Sequence, residues 1–300
     1  MHILFGSIDS ANRTLNDDGW IKRGSALPNL VFVNFDAKQI AFELLERVIL
    51  PSKINQNGHP VCGAAVFIQS VAVSKPDEYV RFVISLAEGN QGTIGAGAST
   101  LTVKLRKKTN ITNAPSNPNV GAGPMAQADF IAMVTLRDSR IYQYEALRML
   151  AGATLPKHLL NWMKRSGYTD VRDFAKPFRR TLTFTHSERA VAGEAHFKGH
   201  IQTARTFCNA GYAVYMCCSH PLAVLQLGDQ RNYGSGQMDK LKEKSLAFFG
   251  GHWVLLRGVE ISGTGVKFKI LTWGREARAS VEIPWSKIES WYRGFVCGKP

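Results

Sequence analysis

The pattern of apolar and polar positions divides the chain into a mostly helical first part and a strand-rich last part. In the first part, apolar residues recur with the three-to-four-residue period that places them on one face of a helix. Prolines and glycines separate these segments, as they do at helix ends. Helices are therefore predicted over residues 37–50, 62–73, 76–89, 127–150 and 156–168.

Three other segments of the first part lack this helical period. Residues 1–28 are polar and end in a Gly-Ser-Ala-Leu-Pro stretch, which predicts an N-terminal arm or extended lead-in. Residues 30–35 (LVFVNF) form a strand-like apolar run. Residues 92–123 are rich in Gly, Thr, Asn and Pro and predict a loop with one hairpin, where a substrate-facing or mobile element is expected.

The last hundred residues are dominated by strand patterns. After a helical segment at 200–211, the continuous apolar run at 212–219 is typical of a buried strand. A polar linker at 228–244 comes next. The runs at 252–261 and 266–274 then alternate with period two on either side of a Gly-Thr-Gly turn, which predicts a hairpin.

Length and composition suit a folded globular protein. The chain has 300 residues, of which 45% are hydrophobic and 20% charged, enough for a substantial core. With helices first and strands last, we expect an α+β fold. The expected organisation is an arm at 1–28 and one domain at 29–300, with a helical lobe at about 29–200 and a β lobe at about 201–300.

No apolar stretch approaches the roughly 18–20 residues that cross a bilayer, so no membrane span is expected. The N-terminus has no basic region before its short apolar run, which ends at Phe5. We therefore expect a cytoplasmic protein, or one delivered by a dedicated secretion system without a signal peptide.

Five cysteines are scattered along the chain. An odd number without a CxxC pair argues against a disulfide framework and against a structural zinc site. A reducing compartment fits this pattern and keeps a reactive thiol intact. No metal or organic cofactor is expected.

A formal net charge of +14 raises the question of nucleic-acid binding. The basic residues are spread, with modest clusters at 104–108 and 176–180, and no zinc finger or aromatic-basic RNA motif is present. The favoured interpretation is solubility or attraction to an acidic partner. Binding to nucleic acid is a minor alternative, which predicts an affinity that falls steeply with salt.

Cys62 is the strongest candidate for a chemical role. It follows a polar loop and opens an apolar helix, whose N-terminal dipole stabilises a thiolate. Gln56, six residues earlier, carries an amide that can hold an oxyanion. The candidate base is His252, which begins a strand after two glycines; His59, in the loop before Cys62, is the local rival. The ordinary alternatives are a buried thiol and a core histidine.

These residues together resemble the papain-like cysteine peptidases. Gln56 and Cys62-Gly63 match the family's oxyanion glutamine and nucleophile, and His252-Trp253-Val254 matches its general-base segment. The resemblance covers about residues 50–300 and is nearest to bacterial domains that cleave bacteriocin leaders. It implies a papain-like fold, with a helical N-terminal lobe and an antiparallel β C-terminal lobe.

One departure from the family concerns the residue that orients the histidine. Papain-like enzymes place Asn or Asp at the end of the next strand, where this chain has Thr272 and Trp273. Thr272 can accept a hydrogen bond from His252, and Asp138 is a second candidate from another segment. The ordinary role of Asp138 is a helix cap or an ion pair with Arg137 or Arg140 on a solvated face. Trp253 is a candidate shield for the Cys–His pair.

The expected activity is thiol-dependent hydrolysis of a peptide or isopeptide bond in a protein or peptide substrate, which would suit an intracellular peptidase or a toxin-like effector. An inhibitor or immunity protein is a further candidate partner. The alternatives are a Cys–His amidase or acyltransferase and a catalytically inactive binding module, which the missing Asn or Asp favours.

Overall fold

The protein is described by a computed structural model. The described residues are 2–17, 20, 30–57, 61–105, 111–115, 124–139, 154–175, 194–219, 222, 223, 226, 251–278 and 281–300. Several predictions concern segments outside them: the helix beyond residue 139, the linker at 228–244, the basic cluster at 176–180 and His59.

The chain divides into two compact units. The first comprises Met1–Thr154 with Lys164–Gly167, and the second comprises Leu155–Met163 with Tyr168–Pro300. Both helices and antiparallel strands occur, so the predicted α+β class is confirmed. The second unit begins before the predicted lobe boundary near residue 200, because strand β3 (Thr169–Asp173) pairs with the last strand of the chain, β9 (Tyr292–Lys299).

Helices dominate the described part of the first unit. The helix that Cys62 begins, α3, is buried on all sides from Cys62 to Ala72, so it forms the centre of this unit. It packs against the helices before and after it and against the helix at Gln127–Asp138. The helices are α1 (His2–Asp17), α2 (Ala37–Ile49), α3 (Cys62–Ser74), α4 (Pro76–Gly89) and α5 (Gln127–Asp138), and the predicted hairpin is β1 (Gln91–Ile94) with β2 (Leu101–Lys104).

Two predictions for the start of the chain are wrong. Residues 2–17 form helix α1 rather than an extended arm, and Ala11 and Leu15 on its inner face are fully buried. The run at 30–35 is not a strand, because Phe35 N–H donates to the Phe32 carbonyl and closes a turn. The two phenyl rings stack 5.2 Å apart, and both meet Phe130 edge-on. Aromatic packing at this three-residue spacing replaces the ladder bonds of a strand.

An antiparallel sheet is the framework of the second unit. The other elements of this unit are α6 (Pro156–Arg165), α7 (Glu194–Asn209), β4 (Ala213–Ser219), β5 (Gly251–Ile261), β6 (Gly265–Thr272), β7 (Arg275–Arg278), β8 (Ile283–Pro284) and α8 (Trp285–Trp291). The strand order is β3-β9-β4-β5-β6-β7, with β8 paired to β6. Helix α7 packs on one face, with a core that includes Ile201, Val254, Phe268 and Phe295.

The predicted hairpin of β5 and β6 is confirmed, as is the buried strand β4. Each described helix is too short or too polar to cross a membrane.

Candidate active site

Cys62 occupies the first position of helix α3. The preceding residue, Val61, has the non-helical backbone of an N-cap (φ −122°, ψ 27°), and its side chain forms no capping hydrogen bond. Cys62 is 8% exposed. Its sulfur therefore lies where the unpaired N–H groups of a thirteen-residue helix favour negative charge.

Gln56 lies in a loop that is fixed from two sides. Asn55 N–H donates to Asp129 Oδ2 at 3.1 Å, which ties the loop to α5. Gln69 Nε2 donates to the Ile54 carbonyl at 3.0 Å, which ties the loop to the helix that Cys62 begins. Gln56 itself is 8% exposed, so its amide is held in the protein rather than on a solvated loop.

A buried ion pair supports this loop. Arg47 Nε and Nη2 each donate to one Asp129 oxygen at 3.1 Å, and Asp129 is fully buried. Burial alone lowers the pKa of Arg47, but the Asp129 carboxylate outweighs it and the pKa is raised above its ordinary range. Glu43 accepts a hydrogen bond from Ala128 N–H at 2.8 Å, at the start of the same helix. These contacts join α2 and α5 around the loop of Gln56.

The first turn of α3 also adjoins Arg137. A Cβ atom on Gly63 would lie 2.3 Å from the Thr154 side chain, so only glycine allows this approach. Thr154 Oγ1 accepts a hydrogen bond from Arg137 Nη1 at 3.2 Å. Burial lowers the pKa of Arg137 to about 10, and the charge of Cys62 acts in the opposite direction. Arg137 is thus a buried cation that Thr154 links to the first turn of the helix that Cys62 begins, and the sequence pattern did not identify it.

Asp138 follows Arg137 at the end of α5. Both side chains are buried, at 1% and 3% exposure, so an ion pair on a solvated face is excluded for them. Asp138 belongs to the first unit, as Cys62 does, whereas His252 belongs to the second.

Contacts with Thr272 and Trp273 hold His252 within the second unit. Its Nε2 atom lies 2.6 Å from Thr272 Oγ1, and the two side chains are 7% and 3% exposed. The indole ring of Trp273 stacks on the imidazole at 4.4 Å with an interplanar angle of 20°. Trp253, the expected shield, follows His252 on the strand and points to the opposite face of the sheet. Trp273 covers the ring instead.

The position of Trp273 depends on the turn between β6 and β7. Thr272 pairs with Arg275, so Trp273 and Gly274 form a two-residue connection. Both have positive φ, 47° and 72°, as the favoured hairpin turns require. An aromatic residue rarely adopts this backbone. The strained turn directs the indole onto His252, and such strain is concentrated at functional sites.

The structure thus brings His252 together with Thr272, and it brings the first turn of α3 together with Thr154, which binds Arg137. Gln56 lies on a loop fixed to the helix of Cys62. The described residues contain no group of three or more His, Cys, Asp or Glu side chains suited to a metal ion. Comparisons with models of known families, with curated proteins and with solved structures found no match to this chain.

Proposed function

We propose that this chain is a cysteine hydrolase with a papain-like fold, which cleaves a peptide or isopeptide bond of a protein or peptide substrate. Cys62 is the nucleophile and His252 the general base. The observation that carries the proposal is the hydrogen bond between His252 Nε2 and Thr272 Oγ1, under the Trp273 ring. A buried imidazole with one nitrogen held by a hydroxyl and one face covered by an indole has the fixed orientation that a general base needs.

The surroundings of Cys62 support the same proposal from the first unit. A thiol at a helix N-terminus beside a buried cation has the electropositive environment of reactive cysteines. The loop of Gln56, fixed to the same helix, provides an amide donor of the kind that holds an oxyanion.

The reaction proceeds in two steps. The proton of the Cys62 thiol passes to Nδ1 of His252, and the sulfur attacks the substrate carbonyl carbon. The oxyanion is held by the Gln56 amide and the Cys62 N–H, and the leaving nitrogen takes the proton from His252 as the C–N bond breaks. Water then attacks the thioester and gives a proton to His252. The C–S bond breaks, the acid leaves and the sulfur regains its proton.

The proposal is tested by incubating the full chain with a mixed peptide library and measuring new termini by mass spectrometry. Cleavage by the unmodified protein is expected to disappear in Cys62→Ala and to persist in Cys208→Ala, the matched control. Equal cleavage by Cys62→Ala would refute the proposal. Transfer of the acyl group to an added amine rather than to water would identify an acyltransferase with the same Cys–His pair.

A further inference from the structure

We infer that Arg137 is the cation that holds Cys62 as a thiolate, in addition to His252. The inference rests on the proposed function, because it concerns the reactivity of the same nucleophile. It assigns to Arg137 a role that no family resemblance supplied and that the sequence pattern did not suggest.

Arg137 is buried, and one of its guanidinium nitrogens has no acceptor among the described residues. Its side chain is 3% exposed, and its Nη1 atom donates to the Thr154 hydroxyl at 3.2 Å. Among the described residues, no atom accepts a hydrogen bond from its Nη2 atom. A buried guanidinium stays charged at neutral pH, so it requires a negative group nearby.

Thr154 connects Arg137 to the start of the helix that Cys62 begins. Thr154 touches both the guanidinium and the first turn of α3, where it leaves no room for a side chain at Gly63. Negative charge at Cys62 raises the pKa of Arg137, against the larger lowering by burial. The guanidinium and the N-terminal N–H groups of α3 therefore favour negative charge at one sulfur atom.

Three other charged side chains buried in this unit, Arg47, Asp129 and Glu43, bind partners of their own. Arg47 is bound by both oxygens of Asp129, and Glu43 accepts hydrogen bonds from Ala128 N–H and Gln39 Nε2. The thiolate is thus the negative group that this guanidinium accommodates.

The test is the pH dependence of Cys62 alkylation by iodoacetamide in the full chain, followed by peptide mapping. Arg137→Gln keeps a donor for Thr154 and removes the charge, and it is expected to raise the midpoint of the profile by about one to three pH units, the effect of an opposite charge nearby. Arg137→Lys keeps the charge and is expected to preserve most of the low midpoint. An unchanged midpoint in Arg137→Gln would overturn the inference.

His252→Ala separates this inference from the proposed function. With Arg137 present, the Cys62 midpoint in His252→Ala is expected to stay below the roughly 8.5 of an ordinary thiol. This measurement does not require an Arg137 variant to fold. A midpoint at the ordinary value would overturn the role of Arg137 and leave that of His252 intact, whereas no effect of His252→Ala would count against the proposed function alone.

Discussion

The Nε2 atom of His252 and the Oγ1 atom of Thr272 lie 2.6 Å apart, on neighbouring strands and in a buried environment. In the papain-like enzyme that we propose, this hydroxyl takes the place of the carboxamide or carboxylate that orients the histidine. It can accept the imidazole N–H and so fix the ring, although it stabilises an imidazolium less than a carboxylate does.

Thr272→Val is therefore expected to lower the rate of peptide cleavage by about tenfold or more, part of the roughly 100- to 10,000-fold that a positioned base contributes. The methyl group keeps the volume of the side chain but leaves His252 Nε2 without this hydroxyl. Thr272→Ser is the matched control and should retain most of the rate. Equal rates for Val and Ser would show that the hydroxyl has no orienting role.

The helical pattern of the sequence predicted α2, α3, α4 and α6, and period-two alternation predicted the hairpin of β5 and β6. The local signals were sufficient there because apolar residues follow the period of the element. The strand prediction for residues 30–35 was wrong because the phenylalanines of this segment pack on Phe130, a residue distant in sequence. Tertiary contacts of this kind have no signature in a short window.

In the candidate site, too, some features were predicted from the sequence and others were not. The pair of His252 and Thr272 was predicted from the resemblance to papain-like peptidases, and the position of Cys62 was predicted from a loop and a helix start. The roles of Arg137 and Trp273 could not be predicted. Burial of an arginine depends on the packing of several helices, and the stacking of Trp273 depends on a left-handed backbone at a non-glycine residue.

The buried pair of Arg47 and Asp129 is expected to matter for stability. Asp129→Ala removes the buried carboxylate that binds two nitrogens of the guanidinium, leaves Arg47 with the part-buried Glu46, and should lower the free energy of unfolding by about 3 kcal/mol. The control is Asp77→Ala, which breaks the Asp77–Arg81 pair at the surface and should cost less than about 1 kcal/mol. Urea unfolding followed by circular dichroism measures both, and similar losses would contradict the assignment.

Gly63→Ala is expected to destabilise the first unit by about 1–3 kcal/mol, because the new methyl group would lie 2.3 Å from the Thr154 side chain. Adding Thr154→Gly should recover part of the loss by removing the clashing atoms. Urea unfolding of the two single variants and the double variant gives the coupling. Strictly additive losses would mean that the two residues do not meet.

The free energy of unfolding is also expected to fall as the pH is lowered, because of the titration of His200 in the second unit. Burial, with a smaller contribution from His196, lowers the pKa of His200 from 6.5 to about 4. The unfolded chain takes up this proton below pH 6.5 but the folded protein only near pH 4, so up to about 3 kcal/mol of stability is lost across this window.

His200→Asn, which keeps a polar atom for the Tyr292 hydroxyl that lies 2.7 Å from His200 Nδ1, removes the titration. Its unfolding free energy should depend less on pH between 7 and 5 than that of the unmodified protein. Parallel profiles for the two proteins would show that His200 titrates normally in the fold.

We propose that Cys62 and His252 share a proton, and the rate of iodoacetamide labelling of each cysteine at pH 6 measures this most directly. Cys62 is expected to react rapidly, while Cys208 and Cys297, whose pKa burial raises to about 12, stay unlabelled. His252→Ala should slow the labelling of Cys62 by about tenfold or more, since the imidazolium favours the thiolate. Equal labelling of the cysteines, or a Cys62 rate unaffected by the loss of His252, would contradict the account.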